Sequence, residues 1–234
     1  MLQKKVDELN HIVKSLNSVE ALQLIADQYK NKAVFTTSFG YEDQVISDMI
    51  FKNDVNINVV TLDTGRFFKE TYKVFSQTLD TYKKKIKVYF PEKDAIEKML
   101  SEKGPYSFYN SVDNRIECCN IRKVVPLNRA LEGIELWITG IRAEQSPNRK
   151  GMTFFELDEA RQIIKYNPLL NWSFDEVKKY VKDNHVPYNV LHDKGFVSIG
   201  CEPCTRAIQP GDDFRAGRWW WETNSKKECG LHTH

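Results

Sequence analysis

The sequence predicts an α/β fold, a doubly wound and mostly parallel sheet, from three observations. Short β-branched runs alternate with amphipathic segments of helical length. The chain has 234 residues, enough for one large domain or two small ones, and its 41% hydrophobic and 28% charged residues are a globular composition. Eleven Gly and eight Pro exclude collagen-like and low-complexity chains. A net charge of +2 is too balanced to point to a polyanion as general partner.

Residues Leu2–Lys30 read as two helical segments. Val6, Leu9, Ile12, Val13 and Leu16 recur at three- and four-residue spacing, Asn17 and Ser18 cap a second segment, and Leu22, Leu24 and Ile25 follow. The first is a packing helix or, in a homo-oligomer, an interface helix. Lys4, Lys5, Asp7 and Glu8 fall where a secretory signal would begin its apolar core, and no apolar run reaches a membrane span, so the cytoplasm is the expected compartment. Strands are expected at Ala33–Thr37, Ile57–Leu62, Ile86–Tyr89, Glu135–Thr139 and Gln162–Tyr166. Helices are expected at Glu42–Lys52, Phe67–Tyr82, Asp94–Lys103 and Cys118–Leu131. Ser173-Phe-Asp-Glu176 is a capping box opening a helix to Asp183. An α/β body over 1–170 and an extension over 171–234, together one structural domain, are the expected organisation.

Parallel sheets bind ligands at the carboxyl ends of their strands, and two loops stand there. The first is Thr36-Thr37-Ser38-Phe39-Gly40, followed by Tyr41-Glu42-Asp43. A small hydroxyl-bearing turn into a helix presents N–H groups to an anion, although an ordinary capped turn uses the same residues. The second is Leu62-Asp63-Thr64-Gly65-Arg66. Side by side the two build one nucleotide crevice, with Asp63 and Thr64 near the sugar or base. Ser38, Phe39, Gly40, Asp43, Leu62, Thr64, Gly65 and Arg66 are its candidate substrate-binding residues.

Five cysteines, an odd number, argue against a disulfide framework. Cys118 and Cys119 are adjacent, Cys201 and Cys204 form C-x-x-C, and Cys229 stands alone. C-x-x-C is a recurrent metal-binding spacing. Adjacent helical cysteines diverge by about 100°, which strains one tetrahedral zinc ion but suits a four-iron body whose corners take separate thiolates. A [4Fe-4S] cluster on Cys118, Cys119, Cys201 and Cys204 is the expected cofactor; a four-cysteine zinc site and plain buried thiols are the alternatives.

Arg122 and Lys123 follow the cysteine pair, Arg142 lies just past a strand end, and Arg215 and Arg218 precede Trp219-Trp220-Trp221. Singly, each reads as a solvated or ion-paired side chain; gathered in one crevice they suit a phosphate or sulfate group. The tryptophans are expected to anchor the basic segment, with base stacking the lesser alternative. Cys229, in Glu228-Cys229-Gly230-Leu231-His232, reads as a nucleophile. Lys226, Lys227 and protonated His232 favour its thiolate, and Gly230 gives the tail freedom to move.

Taken together these motifs resemble the assimilatory adenylylsulfate and phosphoadenylylsulfate reductases, in their iron-sulfur branch. The matching residues are Ser38-Phe-Gly with Glu42-Asp43, Leu62-Asp-Thr-Gly-Arg66, Cys118-Cys119 leading into Ile121–Leu127, Thr139-Gly-Ile-Arg142, Ile199–Thr205, Arg215–Trp219 and Glu228–His232. They cover nearly all of the chain beyond its N-terminal helix. The resemblance implies an adenine nucleotide α-hydrolase-like (Rossmann-like) fold with an iron-sulfur-binding C-terminal extension and a mobile catalytic tail. It implies reduction of adenosine 5′-phosphosulfate (APS) to sulfite and AMP in sulfate assimilation, with a separate thioredoxin as electron donor. It also implies that Cys229 attacks the substrate, that the other four cysteines hold the cluster, and that Lys123, Arg142, Arg215, Arg218 and His232 line the phosphosulfate site. The first loop lacks a further hydroxyl between Phe39 and Gly40, closer there to the loop of enzymes for the 3′-phosphorylated nucleotide (PAPS). APS, PAPS or both stand as substrates. An ATP-cleaving enzyme of the same fold would carry a Ser-Gly-Gly-x-Asp-Ser type loop, and a nucleic-acid regulator would carry a basic stripe and a helix-turn-helix signal; the sequence shows none of these.

Overall fold

A computed structural model describes residues 2–146, 149 and 151–222. Strands β1 (Ala33–Thr37), β2 (Asn58–Leu62), β3 (Lys87–Tyr89), β4 (Leu136–Ile138), β5 (Phe155–Asp158) and β6 (Ile163–Tyr166) form one sheet in the order β3-β2-β1-β4-β6-β5. All pairings are parallel except β5 with β6. The chain winds outward from β1 in one direction through β2 and β3, then returns to place β4 on its other side. The connections therefore part at the carboxyl ends of β1 and β4, which opens a crevice there. The residue pattern does not predict β5. Its four residues include the charged Glu156 and Asp158, and it is recruited by pairing with β6 across a turn in which Gln162 adopts φ +54°.

Eight α-helices are described: α1 (Leu2–Ile12), α2 (Ser18–Gln28), α3 (Tyr41–Lys52), α4 (Lys69–Tyr82), α5 (Lys93–Lys103), α6 (Val112–Cys119), α7 (Val125–Ala130) and α8 (Phe174–Asp183). Reciprocal capping boxes, Asn17 with Glu20 and Ser173 with Glu176, start α2 and α8. The helix expected over Cys118–Leu131 begins earlier, at Val112, because Ser111 Oγ accepts from the Asn114 amide at 3.1 Å. It is also interrupted, since Asn120–Val124 forms a π-turn between α6 and α7. No described helix is long and apolar enough to cross a membrane.

Side chains alternate across the sheet, so β1 feeds two cores. Phe35 packs with Ile25, Ile46, Ile138 and Val177 on the face covered by α1, α2, α3 and α8. Val34 packs on the other face with Val60, Leu127 and Trp137. Phe35 is fully buried, and truncating it to alanine would cost about 3–5 kcal/mol. The apolar stripe of α1, namely Val6 and Leu9 with Val13 just beyond, is buried in this chain's own core. Helix α8 is tied to α3 and α4 through Asp48, whose carboxylate accepts from Tyr82 Oη at 2.6 Å and Tyr180 Oη at 2.8 Å.

Candidate active site

A cavity of about 230 Å³ opens at the carboxyl ends of β1, β2 and β4. The loop after β1 contributes Ser38, Gly40 and Asp43, and the loop after β2 contributes Leu62 and Thr64. Asp43 Oδ2 accepts from both the Ser38 amide and Ser38 Oγ, each at 2.6 Å, so a carboxylate of the chain itself occupies the turn's donors. Burial pushes the Asp43 carboxyl up to about 6 against the opposing pull of those two bonds, with Glu42 adding repulsion. Gly140, beyond β4, is required by this packing: a Cβ there would stand 2.2 Å from Asp43 Oδ1.

Phe39 adopts φ +62° with its ring buried in the core, stacked on Phe75 at 4.8 Å. The expectation of Phe39 as a substrate contact is thus corrected for the side chain, which shapes the loop from behind. In the second loop Asp63 Oδ1 accepts from the Gly65 amide at 2.8 Å and from Tyr72 Oη at 3.0 Å, fixing a turn in which Gly65 takes φ +68°. Gly65 and Arg66 lie outside the cavity lining. Arg66 instead donates to the Pro105 carbonyl, with its guanidinium over Phe108 at 5.2 Å, and lines the neighbouring cysteine cleft.

The cations divide sharply. Lys123, Arg149, Arg215 and Arg218 line the cavity. Arg142 does not. It is fully buried, with Nε donating to Glu42 Oε1 at 2.8 Å and Nη1 to Glu144 Oε2 at 2.7 Å and the Trp172 carbonyl at 3.1 Å. The expectation that Arg142 lines the phosphosulfate site is corrected on that ground: its Nε and Nη1 are turned to two carboxylates beneath the loops, while Nη2 is buried without a hydrogen-bond partner among the described residues. Trp219 organises Arg215 and Arg218. It is fully buried at φ +42°, with the guanidiniums of Arg115, Arg218 and Arg215 over its ring at 4.7, 4.9 and 5.8 Å. A buried ion pair, Arg115 Nε to Glu222 Oε1 at 2.9 Å, holds this segment against α6.

Cys118, Cys119, Cys201 and Cys204 are free thiols that line a second, smaller cleft with Phe108 and Trp219. Lys123 and Cys201 line both spaces, so the cleft and the cavity share a wall. Cys201 Sγ also lies 3.4 Å from Thr64 Oγ1 of the second loop. Burial pushes the Cys118 thiol up and the Cys204 thiol up to about 12, with Arg122 beside the first and Lys123 and Arg218 near the second pulling back. Among the described residues no three His, Cys, Asp or Glu side chains are arranged to hold a single ion. The donor set is four soft sulfurs around one cleft rimmed by Arg66, Arg115, Arg122 and Lys123, a composition that suits an anionic thiolate-bound group.

The chain matches the model of the phosphoadenosine phosphosulfate reductase domain over residues 32–207. It belongs to that family. The reductase is 48% identical over 231 residues to an adenosine 5′-phosphosulfate reductase of Sinorhizobium fredii, covering 99% of this chain and 92% of that protein. A protein of the same description from Neisseria meningitidis serogroup B is 47% identical over 201 residues, covering 86% and 82%. Among solved structures, a phosphoadenylyl-sulfate reductase from Candida auris in a phosphate complex superposes with TM-score 0.75 at 31% identity, covering 86% of this chain and 96% of that one. An NH3-dependent NAD synthetase from Campylobacter jejuni, 12% identical with TM-score 0.51 over 83% and 79%, shares the fold. The reductase is an oxidoreductase with the adenine nucleotide α-hydrolase-like fold.

Sequence reasoning missed three groups that line the reductase's cavity: Gln145, Arg149 and His192. Arg149 donates to Gln145 Oε1, and both stand on the stretch after β4 that drew attention to Arg142, which is the signal that could have found them. No sequence signal marks His192. It sits in a short 3-10 turn, its ring stacked on Tyr41 at 4.0 Å and its Nδ1 2.7 Å from the Phe196 carbonyl. The expected nucleophile Cys229 and the expected phosphosulfate contact His232 lie outside the described residues.

Proposed function

We propose that the reductase converts APS to sulfite and AMP in the cytoplasm, with thioredoxin as electron donor and Cys229 as nucleophile. One observation carries this reading: a cavity opened by two strand-end loops is lined by Lys123, Arg149, Arg215 and Arg218, and its wall at Lys123 and Cys201 is also the wall of a four-thiol cleft. The relatives named adenosine 5′-phosphosulfate reductase, matched over nearly the whole chain, support it.

The sulfur of a phosphosulfate anhydride is electrophilic but wrapped in anionic oxygens. A thiolate approaching it meets repulsion of several kcal/mol in a dry site, which the lining cations offset. Attack by the Cys229 thiolate forms an S–S bond, breaks the S–O bond to phosphate and releases AMP, whose new charge the same cations stabilise. The product on the chain is S-sulfocysteine. A thioredoxin thiolate then attacks Cys229 Sγ, sulfite leaves with the electron pair of the S–S bond, and the second thioredoxin thiol resolves the mixed disulfide to return Cys229 as a thiolate. Thioredoxin is oxidised by two electrons and the sulfuryl group is reduced by two.

Cys118, Cys119, Cys201 and Cys204 would hold a [4Fe-4S] cluster, which when bound supplies fixed negative charge beside the site. Lys123 is the residue placed to answer that charge and reach the substrate side. The test is sulfite release by anaerobically purified protein with APS and with PAPS, with and without thioredoxin, for wild type and Cys229→Ser. Sulfite is expected from wild type only with reductant present. Sulfite at the normal rate from Cys229→Ser removes the nucleophile, and none from wild type with either nucleotide removes the reading.

A further inference from the structure

We infer that Gly200 is a positioning residue: it leaves room beside the C-x-x-C turn for the Arg218 guanidinium to lie against the backbone, which seats that cation at the cavity wall for the substrate's anionic end. The inference rests on the function proposed above and names what holds one of the lining cations in place.

Polar partners do not place Arg218. It is buried, yet its one side-chain hydrogen bond among the described residues is a long one, from Nη1 to Ser198 Oγ at 3.4 Å. Its Nε is buried without a partner, and no described carboxylate pairs with it. Packing places it instead. Cζ stands 4.9 Å from the centre of the fully buried Trp219 ring. On Gly200 the guanidinium presses so closely that a Cβ there would stand 2.3 Å from Nη2, 2.6 Å from Cζ and 2.9 Å from Nη1. All three fall well inside the roughly 3.5–4.0 Å of a normal carbon contact.

Gly200 is held where it is. Its amide donates to Thr205 Oγ1 at 3.1 Å, and that hydroxyl donates to the Cys201 carbonyl at 2.9 Å, which closes the turn on itself. Thr205 also pairs with Arg218 through an antiparallel backbone bridge, and the Trp219 amide donates to the Cys204 carbonyl at 3.4 Å. Turn, arginine and indole are one unit, and the guanidinium is the soft part of the contact. The φ of Gly200 lies outside the left-handed region, so its backbone would accept alanine. Its missing side chain answers to space.

A guanidinium flanked by a ring and a backbone keeps an edge for a ligand, the presentation that takes an oxyanion with two N–H groups, and Arg218 lines the cavity. A methyl at Gly200 would push it off this seat while the fold survives, since the atoms struck are the end of a flexible side chain.

The experiment is a double-mutant cycle of Gly200→Ala and Arg218→Lys on anaerobically purified protein of matched iron and sulfide content. With Arg218 present, Gly200→Ala is expected to lower kcat/KM for APS by about tenfold or more, the scale of one hydrogen bond to a charged group. Lysine has no planar fork to strike the methyl, so in the Arg218→Lys background the same change is expected to cost under about twofold. Calorimetric titration reads the cycle without turnover: Gly200→Ala is expected to weaken AMP by about tenfold only where Arg218 is present, with adenosine affinity unchanged. Equal losses in both backgrounds, wild-type kinetics in Gly200→Ala, or equal weakening of AMP and adenosine overturns the inference. Iron lost from Gly200→Ala but kept in the double variant supports the clash at Arg218; iron lost from both places the damage in the turn and overturns it. No sulfite from any of the proteins, with the cycle intact in AMP binding, would sink the proposed function and leave the Gly200 seat standing.

Discussion

Asp43→Asn should change the stability of the fold, in a way that pH exposes. The Asp43 carboxyl ordinarily ionises at 3.8 and in the fold does so at about 6, because burial outweighs the two Ser38 bonds. A group raised on folding stabilises the native state below its unfolded value, and that contribution is lost as pH rises through the folded one. Carrying the charge at neutral pH and above therefore costs the native state about 3 kcal/mol. Asparagine carries no charge, and its carbonyl oxygen can accept from the same Ser38 amide and hydroxyl. Relative to wild type, the variant should gain about 2 kcal/mol between about pH 4.5 and about pH 8. For a chain of this size that is roughly 4–8 °C in Tm, read by scanning calorimetry of both proteins across the range. A difference in Tm between variant and wild type that stays flat with pH would show that Asp43 does not carry a strained charge, and the reasoning from its burial would fail.

Three further outcomes follow from the site. Lys123→Ala, with iron and sulfide content unchanged on analysis, should lower kcat by about 100-fold or more, since it strips a cation from the wall shared by cavity and cleft; unaffected turnover would refute that role. Glu222→Ala should destabilise the protein by about 3–5 kcal/mol in thermal or chemical unfolding, because it removes the carboxylate of a buried ion pair that takes both Nε and Nη2 of Arg115, and a loss under about 1 kcal/mol would contradict the buried pair. Gly140→Ala should weaken AMP binding measured by calorimetry, since the added methyl would displace the Asp43 carboxylate, and wild-type affinity would show that the close approach is dispensable.

Much of the sheet is legible in the sequence because its strands are apolar and β-branched, and because helical spacing and capping boxes punctuate them. Residues Val34 and Phe35 announce a strand buried on both faces, and Asn17 and Ser173 announce helix starts. β5 is illegible because its stability comes from pairing with β6, not from its own residues. The site divides along the same line. Two loops at strand ends and two cysteine pairs are local patterns, and both cysteine pairs meet at one cleft. The direction of a guanidinium is not local. Arg142 follows a strand end as a binding residue should, yet Glu42, 100 residues earlier, claims it, while Arg149 nearby faces the cavity. His192 is invisible for a related reason: its Nδ1 partner and its Tyr41 stack are set by tertiary contacts that a lone histidine does not reveal.

The π-turn at Asn120–Val124 sets the phase between two halves of one rod. Its wider winding accommodates one residue more than a regular turn, so the thiols of α6 and the side chains of Lys123 and Leu127 are clocked to different neighbours. Rewinding those five residues as regular α-helix, with none removed, would turn everything downstream by roughly 90–100° relative to α6. An intact helix by circular dichroism, paired with a dead enzyme, would be the mark of that lost phase.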